Sequence, residues 1–300
     1  MFSPDQYKLL DFGEGRRLEQ FGPWRLDRPC PVAQRATKHD PAVWSTAHAR
    51  FDRTGETTGQ WHLFAELPDR WAVAFGALRF ELKRTAFGHL GLFPEQAANW
   101  DWIAQQVRSA GRPLKVLNLF AYTGGSTLAA AAAGAEVVHV DAARNVVSWA
   151  RRNAALSGLA DAAIHWVAED AMRFARRETR RSAQYDAVIL DPPSYGHGIR
   201  GQVWRLSKHL PWLLELCAEL TAAHRSFLLL TCHTPKFGPA RLTRMLSRAL
   251  QWDSGGRVQA EAMSIHAATG RHLPSGVVVR WQATSSAEHP ASPGQTELSR

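Results

Sequence analysis

The sequence has few cysteines and no long hydrophobic runs. Its three cysteines, Cys30, Cys217 and Cys232, are too few and too scattered for a disulfide scaffold or a zinc site. The N-terminus lacks a basic segment followed by an apolar core, and the apolar runs are far shorter than a membrane-spanning helix. We therefore expect a cytoplasmic protein in a reducing compartment, with no signal peptide and no membrane partner.

Acidic residues are also outnumbered. The chain has 36 Lys and Arg against 27 Asp and Glu, which gives a net charge of +9 and a pI near 10.0. This balance favours a polyanionic partner such as nucleic acid, with simple solubility as the alternative. A hydrophobic content of 45% is sufficient for a substantial buried core. The composition leaves the oligomeric state open.

Residues 114–141 carry the first functional signal. An apolar strand (114–120) leads into a turn of small residues, an Ala-rich helix and a second strand that ends at Asp141. This order is that of the nucleotide-binding βαβ unit. Gly124 and Gly125 let a ligand approach the backbone, and Asp141 can accept hydrogen bonds from a ribose diol. An ordinary tight turn is the alternative.

Two common phosphate-binding motifs are missing from this turn. A Walker loop needs Gly-Lys-Ser/Thr, but the turn has no lysine, and the G-x-G-x-x-G spacing of dinucleotide enzymes is absent as well. The turn therefore suits an adenosyl ligand without a pyrophosphate. We predict S-adenosylmethionine as the cofactor.

The alternation of strand and helix patterns continues along the chain. Predicted strands end at or just before Asp170, Asp191 and Cys232. In a doubly wound sheet, ligands bind beyond the carboxyl ends of the strands, so these residues should converge with the glycine turn. Two further strand patterns, 257–265 and 277–282, follow without a full helix between them. They predict an antiparallel pair at the sheet edge.

Differences in composition and in the frequency of turn residues divide the chain into three regions. Residues 1–86 contain frequent Gly and Pro turn signals between short runs, which predicts a small β-rich N-terminal domain. The nucleotide-binding domain should span residues 87–283, and residues 284–300 have the composition of a disordered tail. Within the helix predicted at 202–220, Pro211 indicates a break or a second start.

Five motifs resemble, in chain order, the signatures of class I S-adenosylmethionine-dependent methyltransferases. They are N-L-F-A-Y-T-G-G-S-T, V-D-A-A, E-D-A, D-P-P-S-Y-G and L-L-L-T-C-H-T. The nearer resemblance is to the bacterial 23S rRNA cytosine carbon-5 methyltransferases, which have a similar G-L-F-P-E-Q-A-A-N segment. The match covers about residues 87–282. It implies a Rossmann-like α/β fold, a seven-stranded methyltransferase sheet with an antiparallel last strand, and an rRNA partner.

The resemblance also implies roles for individual residues. Those expected to bind the cofactor are Gln96, Phe120, Ala121, Tyr122, Thr123, Gly124, Gly125, Asp141, Ala142, Asp170, Ala171, Asp191 and Pro192. Those expected to bind the target base are Pro193, Ser194 and Tyr195. Asp170 can instead cap the helix that follows it, or do both.

Cys232 matches the cysteine of the family's T-C-S motif and is the implied nucleophile. Carbon 5 of cytosine reacts poorly by itself, whereas a thiolate added to carbon 6 makes carbon 5 nucleophilic towards the methyl sulfonium. Asp191, near ring nitrogen 3, would stabilise this adduct by sharing or donating a proton. His233 replaces the small residue that follows the cysteine in the family motif.

Other substrates fit the same residues. Amine methylation has the signature Asp/Asn-Pro-Pro-aromatic, but here Ser194 is in fourth place and Tyr195 comes one residue later. Methylation of a guanine ring nitrogen needs no cysteine and fits equally well apart from Cys232. A small molecule or a protein is a further alternative substrate, and a degenerate, RNA-binding fold is the non-enzymatic one. In each of these cases Cys232 would be structural.

Two segments are candidates for RNA contact. The loop of residues 195–202, with His197 and Arg200, is expected to close over a base. The arginine-rich helix at 173–181 can contact phosphates, or can simply be a solvated face.

Overall fold

The computed structural model of the chain describes residues 1–55, 58–197, 203–251 and 255–284. The strands in these ranges are β1 (Tyr7–Gly13), β2 (Arg16–Phe21), β3 (Trp24–Pro29), β4 (Ala49–Arg53), β5 (Gly59–Leu63), β6 (Arg70–Phe75), β7 (Leu78–Lys83), β8 (Lys115–Leu119), β9 (Glu136–Asp141), β10 (Ile164–Ala168), β11 (Ala187–Leu190), β12 (Tyr195–His197), β13 (Val203–Arg205), β14 (Phe227–Cys232), β15 (Gly256–His266) and β16 (His272–Ala283). The α-helices are α1 (Ala97–Ser109), α2 (Gly125–Ala132), α3 (Arg144–Leu156), α4 (Ala171–Arg180), α5 (Leu206–Leu220) and α6 (Pro239–Ala249).

A seven-stranded sheet organises the larger part of the described chain. Its strand order is β10-β9-β8-β11-β14-β16-β15. The first five strands are parallel, whereas β16 pairs antiparallel with both β14 and β15. The predicted α/β fold class, with its antiparallel ending, is confirmed. Because the parallel strands share one direction, their carboxyl ends lie along a single edge.

Helices cover both faces of this sheet. On one face Phe174 of α4, Leu214 of α5 and Leu246 of α6 share an apolar core. On the other face Ile103 of α1 and Ala130 of α2 belong to a second core. Successive strand residues contribute to opposite cores, as side-chain alternation in a sheet requires.

The N-terminal strands form a second, five-stranded sheet in the order β1-β2-β3-β4-β5. The hairpin β6–β7 follows it and attaches to α3. The Asn153 side chain accepts a hydrogen bond from the Glu81 N–H at 2.9 Å, and the Trp149 indole donates to the Glu81 carbonyl at 2.9 Å. The β-rich character predicted for this region is confirmed. The boundary at residue 86 stays a prediction, and residues 285–300 of the predicted tail lie outside the described residues.

Helix α5 differs from the prediction, since it begins at Leu206 and continues through Pro211. A proline removes one backbone hydrogen bond from a helix. Here Pro211 is exposed, while Leu210, Leu213 and Leu214 are buried on the opposite side. The apolar contact of these leucines therefore holds the helix together across the proline.

The predicted loop at 195–202 is partly a hairpin. Tyr195 pairs with Arg205 and His197 with Val203, so β12 and β13 run antiparallel. Residues 198–202, including Arg200, lie outside the described residues. Nowhere in the described ranges is a helix long and apolar enough to span a membrane.

Candidate active site

A cavity of about 420 Å³ opens at the carboxyl edge of the parallel strands. Its walls combine aromatic rings, carboxylates and the D-P-P-S segment. The lining residues are His89, Phe93, Phe120, Tyr122, Asp141, Ala142, Asp170, Asp191, Pro192, Pro193, Ser194, Gly196, Trp204 and His233. We call this space the larger cavity.

A smaller cavity of about 40 Å³ adjoins it and shares Phe93, Phe120, Tyr122 and Asp191 with it. Of the residues predicted from sequence, the smaller cavity also has Gln96, Ala121, Thr123 and Gly125 in its walls. The predicted residues that line neither cavity are Gly124, Ala171, Tyr195 and Cys232. Most of the predicted site residues are therefore brought together at one edge of the sheet.

The glycine turn, residues 120–125, connects β8 to α2 with an unusual backbone. Phe120 and Tyr122 have positive φ angles of 56° and 49°, which non-glycine residues seldom adopt. Such strain persists only where surrounding contacts hold it, and it often marks a functional site. Here the Ala121 N–H donates to the Val140 carbonyl at 3.0 Å, and the Tyr122 N–H donates to Asp141 at 2.9 Å.

Gly125 has a packing role that the sequence did not indicate. A Cβ atom at this position would lie 2.5 Å from the Trp100 ring, so a side chain cannot fit while α1 packs against α2. The predicted reason was close approach of a ligand to the backbone. The structure supplies a second reason, which applies with or without a ligand.

Asp141 ends β9 in a polar niche. Its two carboxylate oxygens accept hydrogen bonds from the N–H groups of Tyr122, at 2.9 Å, and Ala143, at 3.0 Å. Burial raises the pKa of this carboxyl, and the two N–H donors act in the opposite direction. Each oxygen can accept a second hydrogen bond. The residue therefore retains the capacity to bind a diol in the larger cavity.

Asp170 does cap the next helix. Its side chain accepts a hydrogen bond from the Arg173 N–H at 2.9 Å, at the N-terminus of α4. It also lines the larger cavity. The capping alternative is thus confirmed, and because a carboxylate has two oxygens, capping leaves an acceptor for a ligand.

Asp191 is surrounded by donors. The Thr231 hydroxyl donates to it at 2.6 Å and the Gln96 amide at 3.2 Å, while His233 Nε2 lies 3.4 Å away. Asn99 donates to the Gln96 side-chain oxygen at 2.8 Å, which fixes the amide orientation. These three contacts hold the Asp191 side chain at the wall of the larger cavity.

His233 pairs with Asp191 and also contacts the Ser275 carbonyl through Nδ1 at 2.7 Å. Burial opposes its protonation, but the hydrogen bond and charge of Asp191 outweigh it and raise the pKa of the imidazole from 6.5 to about 9. Since the folded-state pKa is raised, the pair contributes its full stability below pH 6.5, and this contribution is lost as pH rises through about 9.

The pairing of His233 with Asp191 predicts that the stability of the protein depends on pH. We expect the free energy of unfolding of the wild type to exceed that of His233→Gln at low pH, and the difference to shrink between pH 6.5 and about 9. Chemical denaturation of both proteins at pH values below, within and above this range measures it. A difference that stays constant across the range would contradict the Asp191 pairing.

Cys232 lies at the end of β14, and its side chain lines neither cavity. Its side chain is 1% exposed. Burial and the negative charge of Asp191 raise the pKa of the thiol, against opposing hydrogen bonds from Thr234. Cys30 and Cys217 are buried free thiols as well. In this arrangement the Cys232 thiol is shielded from solvent, and its raised pKa disfavours the thiolate.

Several wall residues were not predicted. Trp204 of β13 packs on Phe120 with ring centroids 5.0 Å apart, and its indole donates to the Pro193 carbonyl at 2.7 Å. Burial and the charge of Arg28 lower the pKa of His89 to about 4, so this imidazole is neutral. The G-L-F-P-E-Q-A-A-N segment was a signal for Phe93. Nothing near Trp204 or His89 in the sequence marks them as site residues.

The sheet order, the glycine turn and the acidic strand ends define a methyltransferase fold. A family model described as S-adenosylmethionine-dependent methyltransferase matches residues 44–249, which is more than half of the chain. The chain belongs to this family. It is an enzyme, and its cofactor is S-adenosylmethionine.

Solved structures agree with this family. The S-adenosylmethionine-dependent methyltransferase from Agrobacterium tumefaciens is 39% identical, with a TM-score of 0.86 over 92% of this chain and 90% of that chain. The SMU.776 methyltransferase, crystallised with S-adenosylhomocysteine, is 16% identical and shares the fold, with a TM-score of 0.73 over 93% of this chain and 76% of that chain.

A curated relative is named ribosomal RNA large subunit methyltransferase K/L, from Shewanella sp. strain ANA-3. It is 35% identical over 128 residues, which are 42% of this chain. The match spans 17% of the length of that relative.

Proposed function

We propose that this enzyme methylates a nitrogen atom of a base in RNA, with large-subunit rRNA as the substrate. The observation that carries this proposal is the contrast between Asp191, which lines the larger cavity as the first residue of the D-P-P-S segment, and Cys232, whose buried side chain lines neither cavity. A net charge of +9 favours an RNA partner. The name of the curated relative supports rRNA as the RNA class.

The residues present fit the cofactor. We assign the ribose to Asp141, whose oxygens retain acceptor capacity, and the adenine amine to Asp170. The methionine portion is assigned to the smaller cavity, between Gln96 and the glycine turn. When bound, S-adenosylmethionine supplies an electrophilic methyl group. The chain's residues bind and orient the reactants around it.

The target base is assigned to the larger cavity. Phe93, Phe120 and Trp204 give it aromatic walls on which a planar base can stack. Asp191 has its orientation fixed by Thr231 and Gln96. We assign its carboxylate the role of accepting a hydrogen bond from the base and taking up the proton that the methylated nitrogen releases. General-base catalysis of this kind contributes about 10²–10⁴-fold.

Methylation of cytosine carbon 5 through a Cys232 adduct is the second candidate. Its supporting observation is the position of Cys232, next to Thr231, whose hydroxyl donates to Asp191 at 2.6 Å. The candidate requires the thiol to become exposed and deprotonated. Burial, which raises the thiol pKa, opposes both changes.

Cys232→Ala separates the two candidates. For nitrogen methylation we expect the variant to retain most of its turnover, because the buried thiol only fills space beside the sheet. Single-turnover methyl transfer to RNA is the measurement, with thermal unfolding as the control for folding. A loss of 10²-fold or more in a folded variant would instead support the cysteine adduct, in line with the size of nucleophile effects (about 10²–10⁶).

The function itself is tested by methyl transfer from labelled S-adenosylmethionine to unmodified rRNA, followed by digestion and identification of the labelled nucleoside. Label on a base nitrogen is the expected result. Label in 5-methylcytidine would transfer support to the Cys232 mechanism. No label in RNA would overturn the RNA substrate and direct attention to small molecules and proteins.

A further inference from the structure

A line of rings leads out of the larger cavity along α5. Trp204 forms part of the cavity wall, and its ring lies 5.5 Å from that of His209 at an interplanar angle of 31°. The Arg205 N–H, which approaches His209 Nδ1 at 2.9 Å, fixes this imidazole. Trp212 follows His209 by three residues, so the two side chains are neighbours on the helix surface. Trp212 is 53% exposed, so its ring presents apolar surface to the solvent.

Helix α4 adds a cation to this line. The Arg176 guanidinium lies over the Trp212 ring, with its carbon 5.5 Å from the ring centroid. Asp170, the N-cap of α4, lines the larger cavity. Arg176 is six residues further on, or about 9 Å along the helix axis. The outer end of the line therefore lies about 9 Å from the cavity-lining N-cap, measured along α4. We call Trp204, His209, Trp212 and Arg176 the aromatic strip.

The arginines of α4 differ in whether they form ion pairs. Arg173 and Arg177 pair with Glu169, and Arg181 pairs with Glu178. By contrast, Arg176 and Arg180 are exposed and have no carboxylate partner among the described residues. Of the arginines that the sequence offered for phosphate contact on this helix, Arg176 and Arg180 are therefore the ones whose charge is not already paired among the described residues.

Acidic residues limit the strip on its far side. Glu215 and Glu219 are exposed on α5, about one and two turns beyond Trp212. They would repel a polyanion that continued along this helix. The favourable region for an anionic ligand therefore lies between the cavity mouth and Arg176.

We propose that the aromatic strip binds single-stranded RNA beside the target nucleotide, with a flanking base stacked on Trp212 and its phosphate at Arg176. The inference rests on the proposed RNA substrate. Exposed aromatic rings next to arginines are the arrangement that single-stranded nucleic acids favour, because every base has a face that can stack. A regular duplex keeps its bases stacked internally and cannot use Trp212 in this way.

The test measures the affinity of the full chain for a fluorescein-labelled oligouridylate of about 12 nucleotides, by anisotropy at several salt concentrations. For Trp212→Ala we expect the Kd to rise about 5- to 150-fold, as base–aromatic stacking predicts. Trp212→Phe should recover most of the affinity. For Arg176→Ala the slope of log Kd against log salt should fall by about 0.7, the value for one phosphate contact on a single strand. Trp212→Ala should leave this slope unchanged.

Matched controls are exposed residues of the same type elsewhere. Phe64→Ala removes a ring that is 63% exposed just after β5, and Arg108→Ala removes an exposed charge from α1. Both should bind the oligomer as the wild type does. Affinity for an RNA duplex of the same length should not respond to Trp212→Ala.

The outcomes distinguish this inference from the proposed function. If the wild type neither binds the oligomer nor methylates rRNA, both are overturned. If the wild type methylates rRNA but folded Trp212→Ala binds the oligomer equally well, only the aromatic strip is overturned. Equal losses of affinity in Trp212→Ala and Phe64→Ala would overturn it as well, since the effect would then not be specific to this surface.

Discussion

Replacement of Asp191 by asparagine is expected to lower kcat for methyl transfer by about 10²–10⁴-fold. The substitution keeps the size of the side chain but removes its charge and its ability to take up a proton. Thr231 can still donate to the remaining amide oxygen, so the turn should keep its shape. Binding of S-adenosylhomocysteine should weaken much less than kcat falls, although Asp191 contacts Gln96 at the smaller cavity. The measurement combines single-turnover kinetics on rRNA with calorimetric titration of this product.

A matched control keeps the Asp191 experiment specific. Asp161→Asn makes the same chemical change at an exposed position in the turn between α3 and β10. It should leave kcat and binding unchanged. Wild-type kcat in Asp191→Asn would remove Asp191 from the chemistry. An equal loss of kcat and of cofactor affinity would make it a binding residue only.

The sheet and its edge could be predicted because their signals are local. Alternating strand and helix patterns, each with its own period, fix the element order, and parallel strands bring their carboxyl ends together. Asp141, Asp170 and Asp191 therefore follow from sequence alone as neighbours at one edge. The antiparallel pair β15–β16 was equally predictable, since no helix separates the two strand patterns.

What the sequence could not supply depends on side chains distant in the chain. The position of Cys232 after β14 predicted a residue at the edge, but not that the thiol is 1% exposed. Trp204 enters the cavity wall through the β12–β13 hairpin, where the sequence indicated a loop. The His233–Asp191 pair joins two strand ends, and no spacing rule connects them. At Pro211 the sequence predicted a helix break that the structure does not have, because tertiary packing overrides the local signal.

The buried side chain of Asn153 connects the N-terminal region to the glycine turn. The Asn153 amide donates to the Thr123 carbonyl in the glycine turn at 2.9 Å, and its oxygen accepts from the Glu81 N–H of β7 at 2.9 Å. Asn153 is fully buried. The hairpin β6–β7 is thus tied through this side chain to the glycine turn. A separate role for the N-terminal region must be consistent with this attachment.

Asp141→Asn is expected to weaken the binding of S-adenosylmethionine by about 1–3 kcal/mol, the loss of a charged hydrogen-bond acceptor, or about 5- to 150-fold in Kd. Asp141 also accepts from the N–H groups of Tyr122 and Ala143, so some loss of stability will accompany the change. Thermal unfolding measures that loss separately.

Ligand fragments distinguish a ribose contact from a general distortion of the glycine turn. If Asp141 binds the ribose, calorimetric titration should show weaker binding of adenosine to Asp141→Asn and unchanged binding of methionine. Equal weakening of both fragments would mean that the loss of the Tyr122 hydrogen bond deforms the turn, because the methionine portion is assigned to the smaller cavity, which Asp141 does not line. Unchanged adenosine affinity would refute the ribose role, and Asp141 would then serve only to hold the strained backbone of Tyr122.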